Sequence, residues 1–413
     1  MNQDLTRRRL LQVGGGLAAG LLTVGSTALA QSPGPSGGPS AAPSIEPNTV
    51  KRRGTGLRGY DAQRAAPGFT LFTPLLGGGL VYLVDMQGTL VHTWELPHPP
   101  GAYGYLTDRG TLFYNGNVPS DTFLGKQFFN GGAALEVDWN GNILWEVRQR
   151  GHHHDGRLLR NGNVLLLCAQ ELPDPVASQV RGGLAGTEAD SRIWADYLVE
   201  MTTSGQTVWT WRSWEHLDPA THPLTLPSDE RAFWTHGNAV AELADGNVLL
   251  SMRNLSTIIR INRQTDEIEW ELGPPPLAGA HGVNQLPNGN LLVFDNGPYR
   301  VDQLRVSPAA APFSRILEIN PVTNEIVWTY QELLGWNFFS ALLSNAQRLP
   351  NGNTFVNEGL SGRLFEVTPD GDVVWEYVNP YFGPSTAPGK VQSNMVFRAY
   401  RYTPDEIAAA RRV

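Results

Sequence analysis

An all-β fold, a six-bladed β-propeller, is predicted by three observations on this sequence. A unit of about forty residues recurs in degraded copies, clearest from His281 to Asn296 (HGVNQLPNGNLLVFDN) and closing at Ile326-Val327-Trp328. Six tryptophans, Trp94, Trp145, Trp209, Trp270, Trp328 and Trp375, recur once per unit after an apolar or β-branched start. Turn signals recur inside the copies at Arg109-Gly110, Asn161-Gly162, Asp245-Gly246, Asn288-Gly289 and Asn351-Gly352. A large ring repeated once per unit is what packs one four-stranded sheet against the next. The turns are unequally spaced, 52, 84, 43 and 63 residues apart, which implies insertions on one face.

Each copy reads as a short strand, a two-residue turn, a second apolar strand, a third ending near Asn or Asp and a fourth carrying the tryptophan. The first copy has only three strands, Phe69 to Thr73, Leu80 to Asp85 and Thr89 to Glu95. Near the end of the chain Met395 to Tyr402 alternates as a strand with no unit of its own. It is therefore expected to close the ring by joining the N-terminal blade. Helices are expected only in insertions and at Pro404 to Ala410.

The propeller is placed at residues 60–413. Residues 1–30 read as a twin-arginine signal peptide: Thr6-Arg7-Arg8-Arg9-Leu10-Leu11, a weakly apolar glycine-rich stretch, then Ala28-Leu29-Ala30. Gln12, five glycines and several hydroxyl residues make that stretch a poor membrane span, so no stable membrane insertion is expected after cleavage. This signal implies the twin-arginine export machinery as a partner and a periplasmic or secreted product. Residues 31–59 read as a flexible Pro/Ser/Gly-rich linker with little to bury. Losing Arg7, Arg8, Arg9 and Asp4 takes the net charge from −8 to about −10, which argues against a nucleic-acid partner. Cys168, the one cysteine, lies in an apolar run and reads as a buried structural thiol.

In a propeller the first strand of each blade lines the central channel, so unusual residues at its start face a shared axial pocket. Three copies start on histidine: His152-His153-His154-Asp155, His236-Gly237-Asn238 and His281. Counting outward from two-residue turns pairs Asn238 with Arg253, His281 with Asn296, His152 with Glu171 and His154 with Ala169. Repeat alignment favours His154 as the channel-facing member of the triplet, then His152, with His153 turned into the blade interface. His154, His236, His281 and Arg253 would form a cationic, hydrogen-bonding pocket suited to an oxyanion. Trp194, Tyr197, Trp234, Phe338 and Phe339 are candidate walls for an aromatic ligand.

These pieces, His153-His154-Asp155, His236-Gly237-Asn238 followed by Ser251-Met252-Arg253, and His281 ahead of Leu286-Pro287-Asn288-Gly289-Asn290, resemble the bacterial arylsulfate sulfotransferases over roughly residues 60 to 405. The resemblance implies an exported six-bladed propeller that moves a sulfuryl group from an aryl sulfate to a phenol through a sulfohistidine. It implies His281 as nucleophile, with His236, Arg253 and one histidine of the 153–154 pair holding the sulfuryl oxygens and protonating the leaving phenolate. His153, Asn238 and Asn296 are expected to touch substrate, and no cofactor or nucleotide sulfate is implied. Two alternatives remain at this stage: a metal-dependent enzyme using the axial histidines, with Asp155, Glu171 or Asp295 joining them, and a non-catalytic ligand-binding propeller.

Overall fold

Six antiparallel sheets arise where the sequence alternates apolar and polar residues between turn signals. A computed structural model describes residues 54–298, 300, 312–384 and 392–413; the proposed signal peptide and most of the linker lie outside these residues. In blade 1, Val396–Tyr402 lies innermost beside Phe69–Pro74, followed by Leu80–Val84 and Leu90–Glu95. Ring closure by the C-terminal strand is thus as expected. Blade 2 runs from Pro100–Leu106 to Ile143–Arg148, blade 3 from His152–Leu158 to Thr207–Arg212, and blade 4 from Gly237–Glu242 to Ile268–Leu272. Blades 5 and 6 run from His281–Gln285 to Glu325–Tyr330 and from Asn345–Arg348 to Val373–Val378.

The closure has a second part that the sequence reading assigned to the linker. Gly56–Tyr60 pairs antiparallel with Val373–Val378 as a fifth, outermost strand of blade 6. A short strand rich in glycine shows little apolar alternation, but backbone pairing needs none, and it covers an edge that would otherwise be unpaired.

The hydrophobic core is divided among the blade interfaces. Leu165 and Leu167 of blade 3 pack with Val240, Val248 and Leu250 of blade 4; Phe72 and Tyr82 of blade 1 pack with Phe355 and Trp375 of blade 6. Each of the six counted tryptophans lies on a fourth strand. Five of them also donate the indole N–H to the hairpin between strands three and four of the next blade. Trp94 reaches Asp138 O, Trp209 Asp266 Oδ1, Trp270 Asn324 Oδ1, Trp328 Pro369 O and Trp375 Met86 O, at 2.8–3.1 Å. Trp145 is the exception, bonding Glu136 of its own blade. One side chain thus supplies both area and a directed bond between sheets.

The turns differ from the expected two-residue type. Leu243 N donates to Asn247 O and Gly246 N to Leu243 O, with Gly246 at φ +88°, and the same pattern recurs at the other four turns. These are three-residue loops ending in a left-handed glycine, which shift the register by one residue from the expected count. The meander also sends the long connections that lie wholly within the described residues, 118–131, 172–193, 213–236 and 331–344, to the face where the innermost strands begin. Pro404–Ala410 is helical as expected, with a Thr403–Glu406 capping box.

Candidate active site

The innermost strands of blades 3, 4 and 5 begin irregularly, and the irregularity aims their histidines. His154 and His236 adopt φ +49°, and Gly282 next to His281 adopts φ +59°. Left-handed backbone costs a non-glycine residue on the order of 1–3 kcal/mol and tends to persist where a site requires it. Each strand also carries a register shift there, between Leu166 and Cys168, Gly237 and Ala239, and His281 and Asn284. The Cα partner of His281 is accordingly Phe294, that of His152 is Cys168, and Gly237 faces Met252. His154 leaves its ladder altogether and donates its amide to Phe129 O at 3.1 Å. The four expected pairings are therefore displaced, because bulges add to the longer turns.

His154, His236, His281 and Arg253 nonetheless line one cavity of about 220 Å³, together with Asp229, Asn254, Phe129, Phe233, Leu342 and Leu343. The His154 and His236 rings lie 4.9 Å apart, with Phe129 stacked on the first at 4.3 Å and edge-on to the second at 4.8 Å. Arg253 Nη1 donates to Asp229 Oδ1 at 2.8 Å and Asn254 Oδ1 at 2.6 Å, leaving Nε and Nη2 without a partner among the described residues. The guanidinium is held on one prong, and the other is available to an anion.

The tautomer of His281 follows from its partners. Its Nδ1 lies 2.8 Å from Asn296 Oδ1 and 3.1 Å from Gly279 O, two acceptors. The Asn296 amide cannot be reversed, because its nitrogen donates to Ser340 O and Leu343 O. Nδ1 therefore carries the proton, and Nε2 carries the lone pair. Burial pushes the His281 imidazole down to about 3, with Arg253 adding to the effect. His154 and His236 are likewise held well below the usual imidazole range, first by burial, then by neighbouring histidines for the former and by Arg253 for the latter. All three are neutral near pH 7.

This gives a pH prediction with a definite sign. The unfolded chain binds protons at these histidines near pH 6.5, while the folded protein excludes them, so their contribution is complete above that pH and is lost on acidification. Each buried histidine is expected to remove about 2 kcal/mol of stability between pH 7 and pH 5. Thermal unfolding at the two pH values checks this; an unchanged melting temperature would contradict it.

The residues expected to touch substrate lie one layer behind the cavity wall. Asn296 holds His281. Asn238 is fully buried and donates to Ala280 O at 2.8 Å, joined there by Ser251 Oγ at 3.2 Å. Both motif residues thus fasten the backbone just before His281. His153 is fully buried between His154 and Asp196, as its expected turn into the interface required. His152 is also buried and accepts from Gly132 N. Asp155 makes a core ion pair with Arg398 Nη1 at 2.8 Å and accepts from Tyr103 and Val240 N. The expected aromatic wall is displaced by neighbours: Trp234 and Phe338 are fully buried in packing, whereas Phe129 and Phe233 line the cavity.

Sequence reasoning missed Asp229, Asp196 and Arg398. A signal existed for the last two, since each is one of only two charges in a strand otherwise built for burial, WADYLVEM and VFRAYRY. Asp229, in an insertion, had none. Among the described residues no group of three or more His, Cys, Asp or Glu side chains is arranged to hold a metal ion. Arg253 on the cavity wall would also repel a dication. No described helix is long and apolar enough to cross a membrane.

A propeller whose axial mouth gathers neutral imidazoles and a half-free guanidinium belongs to the class of group-transfer sites built for an oxyanion. Residues 122–380 match the model of the arylsulfotransferase (ASST) family, and the chain belongs to that family. It is an enzyme of the arylsulfate sulfotransferase type, and membership implies small aryl sulfates and phenols as substrates. A comparison with curated proteins found no match. Among solved structures, a protein of unknown function from Bacteroides caccae is 13% identical, with a TM-score of 0.48, covering 81% of this chain and 99% of that one. A streptogramin B lyase is 12% identical with a TM-score of 0.43, covering 84% and 93%. An inactive virginiamycin B lyase variant from Staphylococcus aureus is 11% identical with a TM-score of 0.43, covering 80% and 90%. These likenesses carry nothing about chemistry.

Proposed function

We propose that the enzyme transfers a sulfuryl group from an aryl sulfate to a phenol in two displacements through a sulfohistidine at His281. In the first, His281 Nε2 forms the N–S bond as the S–O bond to the aryl group breaks, and the departing phenolate takes a proton from a cavity histidine. In the second, a phenol attacks the sulfohistidine and gives up its proton in return. The observation that carries this reading is the fixed Nδ1–H of His281, which leaves an unprotonated Nε2. A neutral imidazole is a competent nucleophile, and dividing the transfer lowers each barrier. The free prong of Arg253 is suited to the sulfuryl oxygens, whose charge needs donors already in place. Phe129, Phe233, Leu342 and Leu343 supply apolar surface for the aryl ring.

The test is incubation with p-nitrophenyl sulfate, with and without an acceptor phenol. Release of p-nitrophenol and a sulfuryl adduct on His281 by mass spectrometry are expected; absence of both would sink the proposal. We also propose export by the twin-arginine route to the periplasm or beyond, resting on the Arg7-Arg8-Arg9 motif. Replacing Arg7 and Arg8 by lysine is expected to retain the protein in the cytoplasm on fractionation, and unimpaired export of that variant would refute it.

A further inference from the structure

We propose that Asp196, His153 and His154 form a buried proton relay that gives a proton to the departing phenolate and recovers one from the attacking phenol. The proposal rests on the sulfuryl-transfer reading and assigns two positioning residues behind the cavity, Asp196 and His153. Asp196 comes from the third strand of blade 3, and neither its side chain nor that of His153 has measurable exposure. Asp196 Oδ2 accepts from Gly237 N at 2.5 Å. Its Oδ1 lies 2.9 Å from His153 Nε2, an ion-pair distance at an angle poor for a hydrogen bond. His153 is the only ion-pair partner of Asp196 among the described residues. A buried carboxylate is costly without a partner able to carry positive charge, and His153 is the group within ion-pair distance.

His153 Nδ1 in turn lies 2.6 Å from His154 Nδ1. Two ring nitrogens at that distance share one proton, and its position defines two states. In the loaded state His153 carries protons on both nitrogens, its Nδ1–H donates to His154 Nδ1, and His154 therefore bears its own proton on Nε2. As the S–O bond breaks, the phenolate oxygen takes the Nε2 proton. His154 Nδ1 takes the shared proton, and His153 is left neutral with Nε2–H toward Asp196. The set has lost one proton and gained one negative charge, which balances the neutral phenol formed. In the second displacement the acceptor phenol returns its proton to His154 Nε2, the shared proton moves back to His153, and the loaded state is restored. His154 is uncharged in both states, as its apolar setting against Phe129 requires. Asp196 also fastens the backbone next to His236 at Gly237, where a Cβ would come within 3.0 Å of the carboxyl carbon.

The test is the dependence of single-turnover phenol release on leaving-group basicity, comparing p-nitrophenyl sulfate with phenyl sulfate in the wild type and in Asp196→Asn. An acidic nitrophenol departs as the anion and needs little help, whereas phenol needs the proton. D196N is expected to lose about 100-fold or more with phenyl sulfate and less than about tenfold with p-nitrophenyl sulfate. Equal losses with both esters would reduce Asp196 to a structural role and overturn the relay. His153→Gln, which leaves the Asp196–Gly237 bond in place, is measured alongside in case D196N does not fold, and the same differential is expected. A wild-type enzyme that releases no phenol from either ester would refute the parent reading and the relay with it; normal wild-type release with undifferentiated losses in the variants refutes the relay alone.

Discussion

Replacing His281 by alanine is expected to abolish sulfuryl transfer, lowering kcat by at least about 10⁴-fold and removing the protein adduct formed with p-nitrophenyl sulfate. The size follows from the role: the variant deletes the atom that makes the covalent bond, and the remaining residues can only bind and polarise. The fold should survive, because the side chain faces a cavity and the backbone is fastened independently at Ala280 by Asn238 and Ser251. Stopped-flow release of p-nitrophenol and intact-protein mass spectrometry check the result. A variant that still turns over at a tenth of the normal rate would mean that another group accepts the sulfuryl. Asn296→Ala separates orientation from attack, since it frees Nδ1 from its side-chain acceptor while leaving the nucleophile in place.

The largest loss of stability is expected for Asp155→Asn. Asp155 is fully buried and holds Arg398, itself 1% exposed in its side chain, with Arg157 at 3.5 Å on the other carboxylate oxygen. Burial pushes the Asp155 carboxyl up, but Arg157 and Arg398 pull harder and leave it below the usual carboxylate range. Its contribution is therefore complete above about pH 4 and is lost only as the pH falls through that lower value. Removing the charge leaves two guanidinium groups inside the ring uncompensated, at a cost of about 3–5 kcal/mol, measurable by denaturant or thermal unfolding at pH 7. A loss below about 1 kcal/mol would show that Tyr103 and Asn238 alone satisfy Arg398. The pair also bears on the site, because the charge of Arg398 depresses the basicity of both His154 and His281. Arg398 lies on the closing strand, so closing the ring and setting the electrostatics of the centre depend on one segment.

Much of the architecture was legible before any coordinates. Six tryptophans count six blades because each lies on a fourth strand, where a large ring packs against the next sheet. The closing strand was legible from a deficit, since Phe69 to Glu95 holds three strands and Val396–Tyr402 is an unattached fourth. Gly56–Tyr60 was not legible, because an outer strand held by backbone bonds leaves no apolar pattern. Turn length was misread because Asp-Gly serves a two-residue turn and a three-residue loop equally well, the difference lying in whether Leu243 N reaches Asn247 O.

His154, His236, His281 and Arg253 could be named from their chain positions alone, since the starts of inner strands converge on an axis whatever their sequence separation. Which neighbours line the cavity and which stand behind its wall is decided by folding. Register shifts at the strand starts, with left-handed backbone at His154 and His236, leave His154 on the cavity wall, as repeat alignment favoured, and place His153, Asn238 and Asn296 behind it. Repetition and composition are local properties and are written along the chain. The hydrogen-bond state of an imidazole depends on atoms brought from distant segments, Asp196 for His153 and Asn296 for His281, and exists only once the ring has closed around them.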